Sequence, residues 1–320
     1  MPIEKGVTAM PSYAYVRKEF VPLAEAKIGV MTHALHYGTA LFEGIRGNWN
    51  KDQKQMYIFR LKEHYQRLLN GCRVLKMDLP YTLDDLCRIT LELAQKCNFH
   101  EDIYIRPLAY KSTEALGVRL HDLESDFLVF AIPWGRYLDV DKARVAVSSW
   151  RRPDANVMPP QCKTTGIYIN NAFAKTEVVL NGFDEAIMLS PEGHISEGSG
   201  ENIFVVIDGK LITPPVSDSI LMGITRNTIM ELARSEFKIE TIERSIVRSE
   251  LYMAQECFMT GTAAHLTPVS EVDRRNIGNG EIGPITKKLQ QAYSEVIRGA
   301  SPKYSAWCTP VYPTKKKRTK

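Results

Sequence analysis

Between Gln161 and Asn171 the chain reads Gln-Cys-Lys-Thr-Thr-Gly-Ile-Tyr-Ile-Asn-Asn, and no acidic residue stands between Asp154 and Glu177. Lys163 is therefore a lysine without a neighbouring counter-charge, set among Cys162, Thr164, Thr165 and Gly166 and followed by Tyr168. A lysine removed from carboxylates and partly desolvated loses its preference for the ammonium form and becomes an amine able to form a Schiff base with a carbonyl. The plainer alternative is a loop lysine after the Pro159-Pro160 turn. The rest of the second half weighs between the two.

Three small-residue turns there carry suitable groups. Ser196-Glu197-Gly198-Ser199-Gly200-Glu201-Asn202 offers a carboxylate flanked by glycine. Met222-Gly223-Ile224-Thr225 opens an expected helix, so its N–H groups and the Thr225 hydroxyl form an anion site. Thr260-Gly261-Thr262-Ala263-Ala264 supplies two hydroxyls and a close backbone approach. Each is a common turn by itself. Together with the lysine they suit pyridoxal phosphate, which needs a lysine for its aldehyde, a cradle for its phosphate and a partner for its pyridine nitrogen. Glu197 would be that partner, and Arg60, ending a strand just before a helix, could add a guanidinium to the phosphate. Other chemistries lack their residues. There is no Gly-x-Gly-x-x-Gly, no Walker loop and no Gly-x-Ser-x-Gly elbow. His33 and His36 lack a third ligand, so no metal is expected.

These groups must be held by regular elements. Apolar residues at helical spacing predict a helix over 61–77, carried by Leu61, Tyr65, Leu68, Leu69 and Cys72. Thr82 starts a second, with Asp85 in the capping-box position. Ile103–Leu108 and Asp126–Ile132 read as strands, and alternation places Tyr104 and Arg106 on one face, Arg106 as an edge-strand arginine or an anion-binding fork. Further helices are expected at Asn170–Leu180, Thr225–Phe237 and Pro284–Arg298. Strands are expected at Glu185–Leu189 and Ile203–Ile207, the latter entering a hairpin at Asp208-Gly209. The polar stretch after Trp134 is the candidate linker.

The 320 residues suffice for two domains, and 44% hydrophobic with 24% charged residues is ordinary for a globular protein. No apolar run approaches membrane-spanning length, and Met1–Gly6 lacks the apolar core of a signal peptide, which points to the cytosol. Six scattered cysteines form no Cys-x-x-Cys pair and read as buried thiols in a reducing compartment. The net charge of +4 owes much to Lys315–Lys320. With no aromatic-interleaved basic face, no nucleic-acid partner is expected.

In its ordered motifs the chain resembles the branched-chain amino acid aminotransferases of fold-type IV, from Tyr13 to about Trp307. The motifs are His36-Tyr37-Gly38 through Phe42-Glu43-Gly44-Ile45-Arg46, Phe59-Arg60 with Glu63-His64, Tyr104-Ile-Arg106-Pro107, Pro133-Trp134-Gly135, Lys163 with Gly166 and Tyr168, Ile195 through Asn202, Gly223-Ile224-Thr225-Arg226, and Gly261-Thr262-Ala263-Ala264. The resemblance implies that Lys163 is the catalytic lysine, joined to pyridoxal 5'-phosphate and shuttling the substrate's alpha proton. Glu197 would pair with the pyridine nitrogen and Tyr168 with the ring hydroxyl, while Arg60, Ile224, Thr225 and Thr262 would hold the phosphate. Tyr37, Phe42, Tyr104, Trp134, Tyr137 and Met222 would line an apolar pocket. Arg106 with Tyr104 would take the distal carboxylate of glutamate, and Thr262, Ala263 and Ala264 the alpha-carboxylate.

It also implies an α+β fold with a smaller α+β sandwich domain over 1–133, a linker over 134–146, a larger pseudo-barrel domain over 147–308 and a basic tail over 309–320, the site lying between domains. The expected reaction moves the amino group of leucine, isoleucine or valine to 2-oxoglutarate, in a homodimer or higher homo-oligomer without nucleic-acid or membrane partners. The chain departs from the family at Thr164-Thr165, Met222 and His265, where small residues, proline and an acidic residue are common. Rival readings are a D-amino acid aminotransferase, an aminodeoxychorismate lyase, or a non-catalytic relative of the same fold.

Overall fold

The computed structural model describes residues 12–135 and 140–313, and the chain divides into two compact units. One takes the chain up to Gly135 together with the segment from Lys303 onward, and the other takes Arg136–Pro302. The expected boundaries shift accordingly. Residues 143–146, the end of the expected linker, join Val147 in a strand inside the second unit's sheet, and Cys308–Pro310, expected at the end of the large domain and the start of a tail, pairs with the first unit. Strand pairing between residues some 250 positions apart leaves no local pattern in a sequence.

The first unit contains β1 (Tyr13–Val16), β2 (Glu19–Pro22), α1 (His33–Tyr37), β3 (Ala40–Phe42), β4 (Ile45–Asn50), β5 (Gln55–Phe59), α2 (Leu61–Val74), α3 (Leu83–Cys97), β6 (Ile103–Lys111) and β7 (Ser125–Pro133). Its sheet is antiparallel, ordered from the Cys308–Pro310 strand through β5, β4, β6, β7 and β1 to β2, with β3 beside β6. The helices pack their apolar stripes together and against the sheet. Leu61, Tyr65 and Leu68 of α2 and Leu86, Ile89 and Leu93 of α3 are all buried. The capping box at Thr82 is present: its hydroxyl accepts from Asp85 N–H at 3.2 Å, and Thr82 N–H donates to Asp85 Oδ2 at 3.0 Å.

The second unit contains β8 (Ala143–Val147), α4 (Tyr168–Leu180), β9 (Glu185–Leu189), β10 (Ile195–Gly198), β11 (Asn202–Ile207), β12 (Lys210–Thr213), α5 (Ile224–Phe237), β13 (Thr241–Glu243), α6 (Arg248–Met253), β14 (Glu256–Gly261), β15 (His265–Val272), β16 (Arg275–Asn276) and α7 (Pro284–Ile297). Its mixed sheet runs β10-β9-β8-β15-β14-β11-β12-β13, with β16 beside β15. The core is one aliphatic cluster including Val145, Ile187, Ile203, Val205, Leu251 and Met259. Helix α4 lays Ala174 and Val178 on Ala146, Ala186 and Met188. It begins two residues earlier than its apolar spacing predicts, at Tyr168, and stops at the positive-φ Gly182. The expected α+β class is what the structure shows. Among the described residues no helix is long and apolar enough to cross a membrane.

One ionic cluster fixes α2 to the sheet. Glu43 is fully buried, and Arg67 grips both its oxygens, Nε to Oε1 and Nη2 to Oε2, each at 2.7 Å. His64 Nδ1 lies 2.8 Å from Oε2. Burial alone would raise the pKa of this carboxyl, but Arg67 and His64 outweigh it and bring it down from 4.5 to about 2. A depressed folded value stabilises the fold above the unfolded value and ceases to do so as pH falls through the folded one. The contribution, about 3 kcal/mol at neutral pH, should therefore be complete above about pH 4.5 and fade towards pH 2. Glu43→Gln should lower the free energy of unfolding by about that amount at pH 7. Its deficit against the parent, followed by urea unfolding, should shrink steadily below pH 4.5. A deficit independent of pH would show that the cluster acts by packing alone.

Candidate active site

In the first unit the chain passes from β5 to α2 through Arg60, which adopts the left-handed conformation (φ 49°, ψ 45°). A long side chain in that region is strained unless its surroundings hold it there. They do: Arg60 N–H donates to Trp307 O at 2.7 Å, its guanidinium lies 4.8 Å from the Trp307 ring centroid, and Nε reaches Glu63 Oε1 at 2.8 Å. The arginine is thus aimed before any ligand arrives.

Strand β6 carries Tyr104 and Arg106 on one face, as alternation predicts. Arg106 Nη2 donates to Tyr104 Oη at 2.8 Å, and its guanidinium carbon stands 4.5 Å from the Phe42 ring centroid and 5.1 Å from that of Tyr104. The Trp134 ring leans on Tyr104 at 5.5 Å. The backbone at Gly44 passes so close that a Cβ there would lie 2.3 Å from Tyr104 Oη. Arg106 Nε and Trp134 Nε1 are both buried without a hydrogen-bond partner in the structure. A buried unpaired donor costs about 1–3 kcal/mol, so this apolar cluster carries unused polar capacity. Four expected residues, Phe42, Tyr104, Arg106 and Trp134, come together here. Tyr37 is exposed, its ring packs on His33 at 4.6 Å, and its hydroxyl accepts from Gly117 N–H at 3.0 Å. The nearby His33 is used structurally, between Thr39 Oγ1 and Gly117 O at 2.8 Å each. Tyr137 lies outside the described residues.

In the second unit Lys163 sits half-buried on a turn preceding α4 and donates from Nζ to Tyr168 Oη at 2.5 Å. Tyr168 is the first residue of α4, so the five-residue spacing in sequence is a direct contact in space. Glu197, on β10, is only 5% exposed. Arg152 Nη2 lies 3.2 Å from its Oε1, while Asn202 Nδ2 and Leu221 N–H reach Oε2 at 3.0 and 3.1 Å. Asn202 also donates to Leu221 O at 2.8 Å. The following Gly223 is required where it stands, since a Cβ there would lie 1.9 Å from Asn202 Oδ1. Gly223 is the N-cap of α5 and makes no side-chain cap. The first turn therefore presents backbone N–H groups beside the buried Thr225 hydroxyl. Thr262, Ala263 and Ala264 form the turn joining β14 to β15, half-buried. That turn adjoins the same cluster, because Asn202 pairs with Thr260 across β11 and β14. Met222, expected in the pocket wall, is 45% exposed.

Arg152, Asn171 and Asn202 carry this arrangement without a sequence signal that singles them out. Arg152 follows Arg151 and precedes Pro153, which reads as a surface pair, yet Arg151 is exposed and Arg152 is buried. Glu201 is likewise, by sequence, no more than part of a motif. It is buried beside Gly198, Gly261 and the Gly200 N–H, which donates to its Oε2 at 3.0 Å.

Three comparisons bear on this geometry. The family model described as amino-transferase class IV matches residues 40–272. A protein of Aquifex aeolicus named "Probable branched-chain-amino-acid aminotransferase" is 50% identical over 301 residues, covering 94% of this chain and 97% of that one. The chain belongs to the class IV aminotransferases. Within that family its fold is close to the branched-chain aminotransferase of Thermoproteus uzoniensis solved with norvaline, with a TM-score of 0.90, 43% identity, and coverage of 94% and 100%. The branched-chain amino acid aminotransferase of Thermobaculum terrenum, solved in its PLP-form, gives a TM-score of 0.91 at 36% identity, with coverage of 96% and 100%.

In this aminotransferase's second unit, the carboxyl of Glu201 is strongly displaced. Burial, then the charge of Glu185, raises its carboxyl from 4.5 to about 8, although Lys175, the Gly200 N–H and Lys163 pull the other way. Glu185 itself is satisfied by Lys175 Nζ at 2.5 Å and Ser199 Oγ at 2.6 Å. A raised folded value means that the folded chain holds a proton the unfolded chain has lost, so stability from this group falls as pH rises from about 4.5 to about 8. Glu201→Gln should abolish that fall. Its melting temperature relative to the parent should rise between pH 5 and pH 9, and an offset that stays constant over that range would show Glu201 to be ionised in the fold.

Proposed function

We propose that this chain is a pyridoxal 5'-phosphate-dependent aminotransferase that moves the amino group of L-leucine, L-isoleucine or L-valine to 2-oxoglutarate in two half-reactions. The products are the branched-chain 2-oxo acids and L-glutamate. The observation that carries the reading is the second unit's pairing of Lys163 Nζ with Tyr168 Oη, together with a buried glutamate held by three donors. The names of the relatives support it.

The residues fit the cofactor. An amine, a carboxylate kept as an acceptor, and an uncapped helix start with a buried hydroxyl match its aldehyde, its ring nitrogen and its phosphate. When bound, pyridoxal phosphate supplies an aldehyde that exchanges one amine for another and a cationic ring that draws electron density from the substrate's alpha carbon. Lys163 Nζ would hold the aldehyde carbon and carry the substrate's alpha proton. Tyr168 orients Nζ and hydrogen-bonds the ring hydroxyl. Glu197 accepts from the ring N–H. Ile224, Thr225 and Thr262 would hold the phosphate from the second unit, and Arg60 is the first unit's candidate for the same group.

For the substrate, Phe42, Tyr104, Trp134, Tyr37, Tyr137 and Met222 bury the branched chain. Arg106 and Tyr104 take the distal carboxylate of glutamate, and Thr262, Ala263 and Ala264 the alpha-carboxylate. The unpaired Arg106 Nε supports this assignment, since a carboxylate would satisfy it. We assign the protein to the cytosol, in keeping with six free cysteines that are all buried. We also assign it to a homo-oligomer, in keeping with exposed apolar residues such as Val30, Leu35 and Val118.

The purified protein should be yellow, bleach with L-isoleucine, ignore D-alanine and recover its colour with 2-oxoglutarate. Bleaching by D-alanine would move it to the D-amino acid branch, and failure to gain absorbance with pyridoxal phosphate would remove the enzymatic reading. Arg106→Ala should raise KM for 2-oxoglutarate by about 10- to 100-fold, a loss of roughly 1.4–2.7 kcal/mol. Its KM for L-leucine should stay within about threefold, since an apolar side chain makes no ion pair to lose. Equal losses for both substrates would remove Arg106 from carboxylate recognition.

A further inference from the structure

Arg152 is 4% exposed and spreads its guanidinium over three segments of the second unit. Nη1 donates to Asn171 Oδ1 on α4 at 2.7 Å, Nε to Ser219 O before α5 at 3.3 Å, and Nη2 faces Glu197 Oε1 on β10 at 3.2 Å. Asn171 is fixed in turn, donating to Ser199 O at 2.6 Å. Asn202 approaches the same carboxylate at its other oxygen. A guanidinium placed this way does more than join segments. Its charge is desolvated and within ion-pair range of the one carboxylate assigned to the cofactor's ring, and a desolvated charge acts strongly on a neighbouring group.

We propose that Arg152 and Asn202 are positioning residues that hold Glu197 as an oriented anion and thereby set how firmly the bound cofactor's ring nitrogen keeps its proton. The proposal rests on the reading of Glu197 as the ring-nitrogen partner. Its logic is a competition for one proton. An arginine and an amide donor stabilise the carboxylate form of Glu197, so the proton shared with the ring nitrogen stays on the nitrogen. Remove the arginine charge, or replace the amide donor with a second carboxylate, and Glu197 becomes the better base. The proton then moves towards the carboxylate and the ring loses its positive charge. The other charged or titratable groups bordering the cluster are Lys163 and Tyr168 ahead of and at the start of α4, Glu201 with Glu185 and Lys175 beneath the 198–200 turn, and Asp218 beside Ser219, which lies 3.6 Å from His194 and accepts from Ser245.

The test uses protein loaded with pyridoxal phosphate and follows its visible absorbance against pH. The wild-type spectrum comes first: without cofactor absorbance the functional reading fails, and the variants are then beside the point. With it, Arg152→Gln should move the pH midpoint of the absorbance change upward by about one unit, because a neutral ring withdraws less charge from the group attached to it. It should also lower kcat about 100-fold with KM for L-leucine little changed. Arg152→Lys keeps the charge while losing the three-way fork. It should melt at a lower temperature yet hold the wild-type midpoint. Asn202→Asp, nearly isosteric, should shift the midpoint in the same direction as Arg152→Gln and stands in for it should that variant not fold. Asn171→Ala, which removes one arm and no charge, should leave the midpoint in place. An unmoved midpoint in both Arg152→Gln and Asn202→Asp, or in Asn202→Asp alone if it is the only one folded, would reduce these residues to scaffolding and overturn the proposal. So would a shift of equal size in Asn171→Ala.

Discussion

The second unit is organised by the need to bury a carboxylate without losing it as an acceptor. Removing an ionised glutamate from water costs several kcal/mol unless charge and hydrogen bonds replace the solvent. Glu197 obtains them from three separate stretches of chain: a guanidinium at Arg152, an amide at Asn202, and the backbone N–H of Leu221. Each donor fixes something else as well. Arg152 ties in α4 through Asn171, Asn202 leaves room only for glycine at 223, and Leu221 leads directly into the start of α5. The geometry of the helix terminus is thus a consequence of how the glutamate is satisfied.

Three buried glutamates show how far surroundings decide what one side chain can do. Glu43 has an arginine gripping both oxygens and a histidine beside them, and its carboxyl is lowered to about 2. It is a clamp, and its charge is exhausted by its partners. Glu201 has a backbone N–H and a neighbouring carboxylate, and its carboxyl is raised to about 8, so at neutral pH it fills its place largely as a neutral acid. Glu197 lies between these cases: its donors include one arginine and two neutral N–H groups. Under the proposed function, that arrangement suits a carboxylate meant to accept from a bound ligand.

Local patterns carried much of this into the sequence. The stripe of α2, the capping box at Thr82 and the glycine stop of α4 depend on residues within a few positions of one another, and they fold as their spacing predicts. The Lys163 and Tyr168 contact is also local, closed by a single turn. What spacing does not carry is long-range satisfaction of charge. Arg152 meets Glu197 across 45 positions and Ser219 across 67, so nothing in its neighbourhood marks it as buried rather than as the twin of Arg151. The return of Cys308–Pro310 to β5 and the place of β8 within the second sheet are hidden for the same reason. Tyr37 is a different case, since its motif is evident in the sequence while the exposure of its ring is not.

Under the proposed function one pocket must accept both an aliphatic side chain and a carboxylate, which ordinary desolvation sets against each other. A bare arginine in an aromatic pocket would repel the aliphatic substrate by the cost of leaving its charge unsolvated. Here the guanidinium plane is shared between the faces of Phe42 and Tyr104, and one nitrogen is already committed to Tyr104 Oη. Cation–π contact with two rings offsets part of that cost when no carboxylate is bound. The guanidinium's flat surface then behaves as one more apolar wall towards leucine, while its unpaired Nε retains a strong incentive to meet an anion. The close approach of Gly44 to Tyr104 Oη limits how far that hydroxyl can swing, and the Glu43 clamp fixes the segment that carries Gly44. A buried ion pair thus helps keep the two modes of recognition in register.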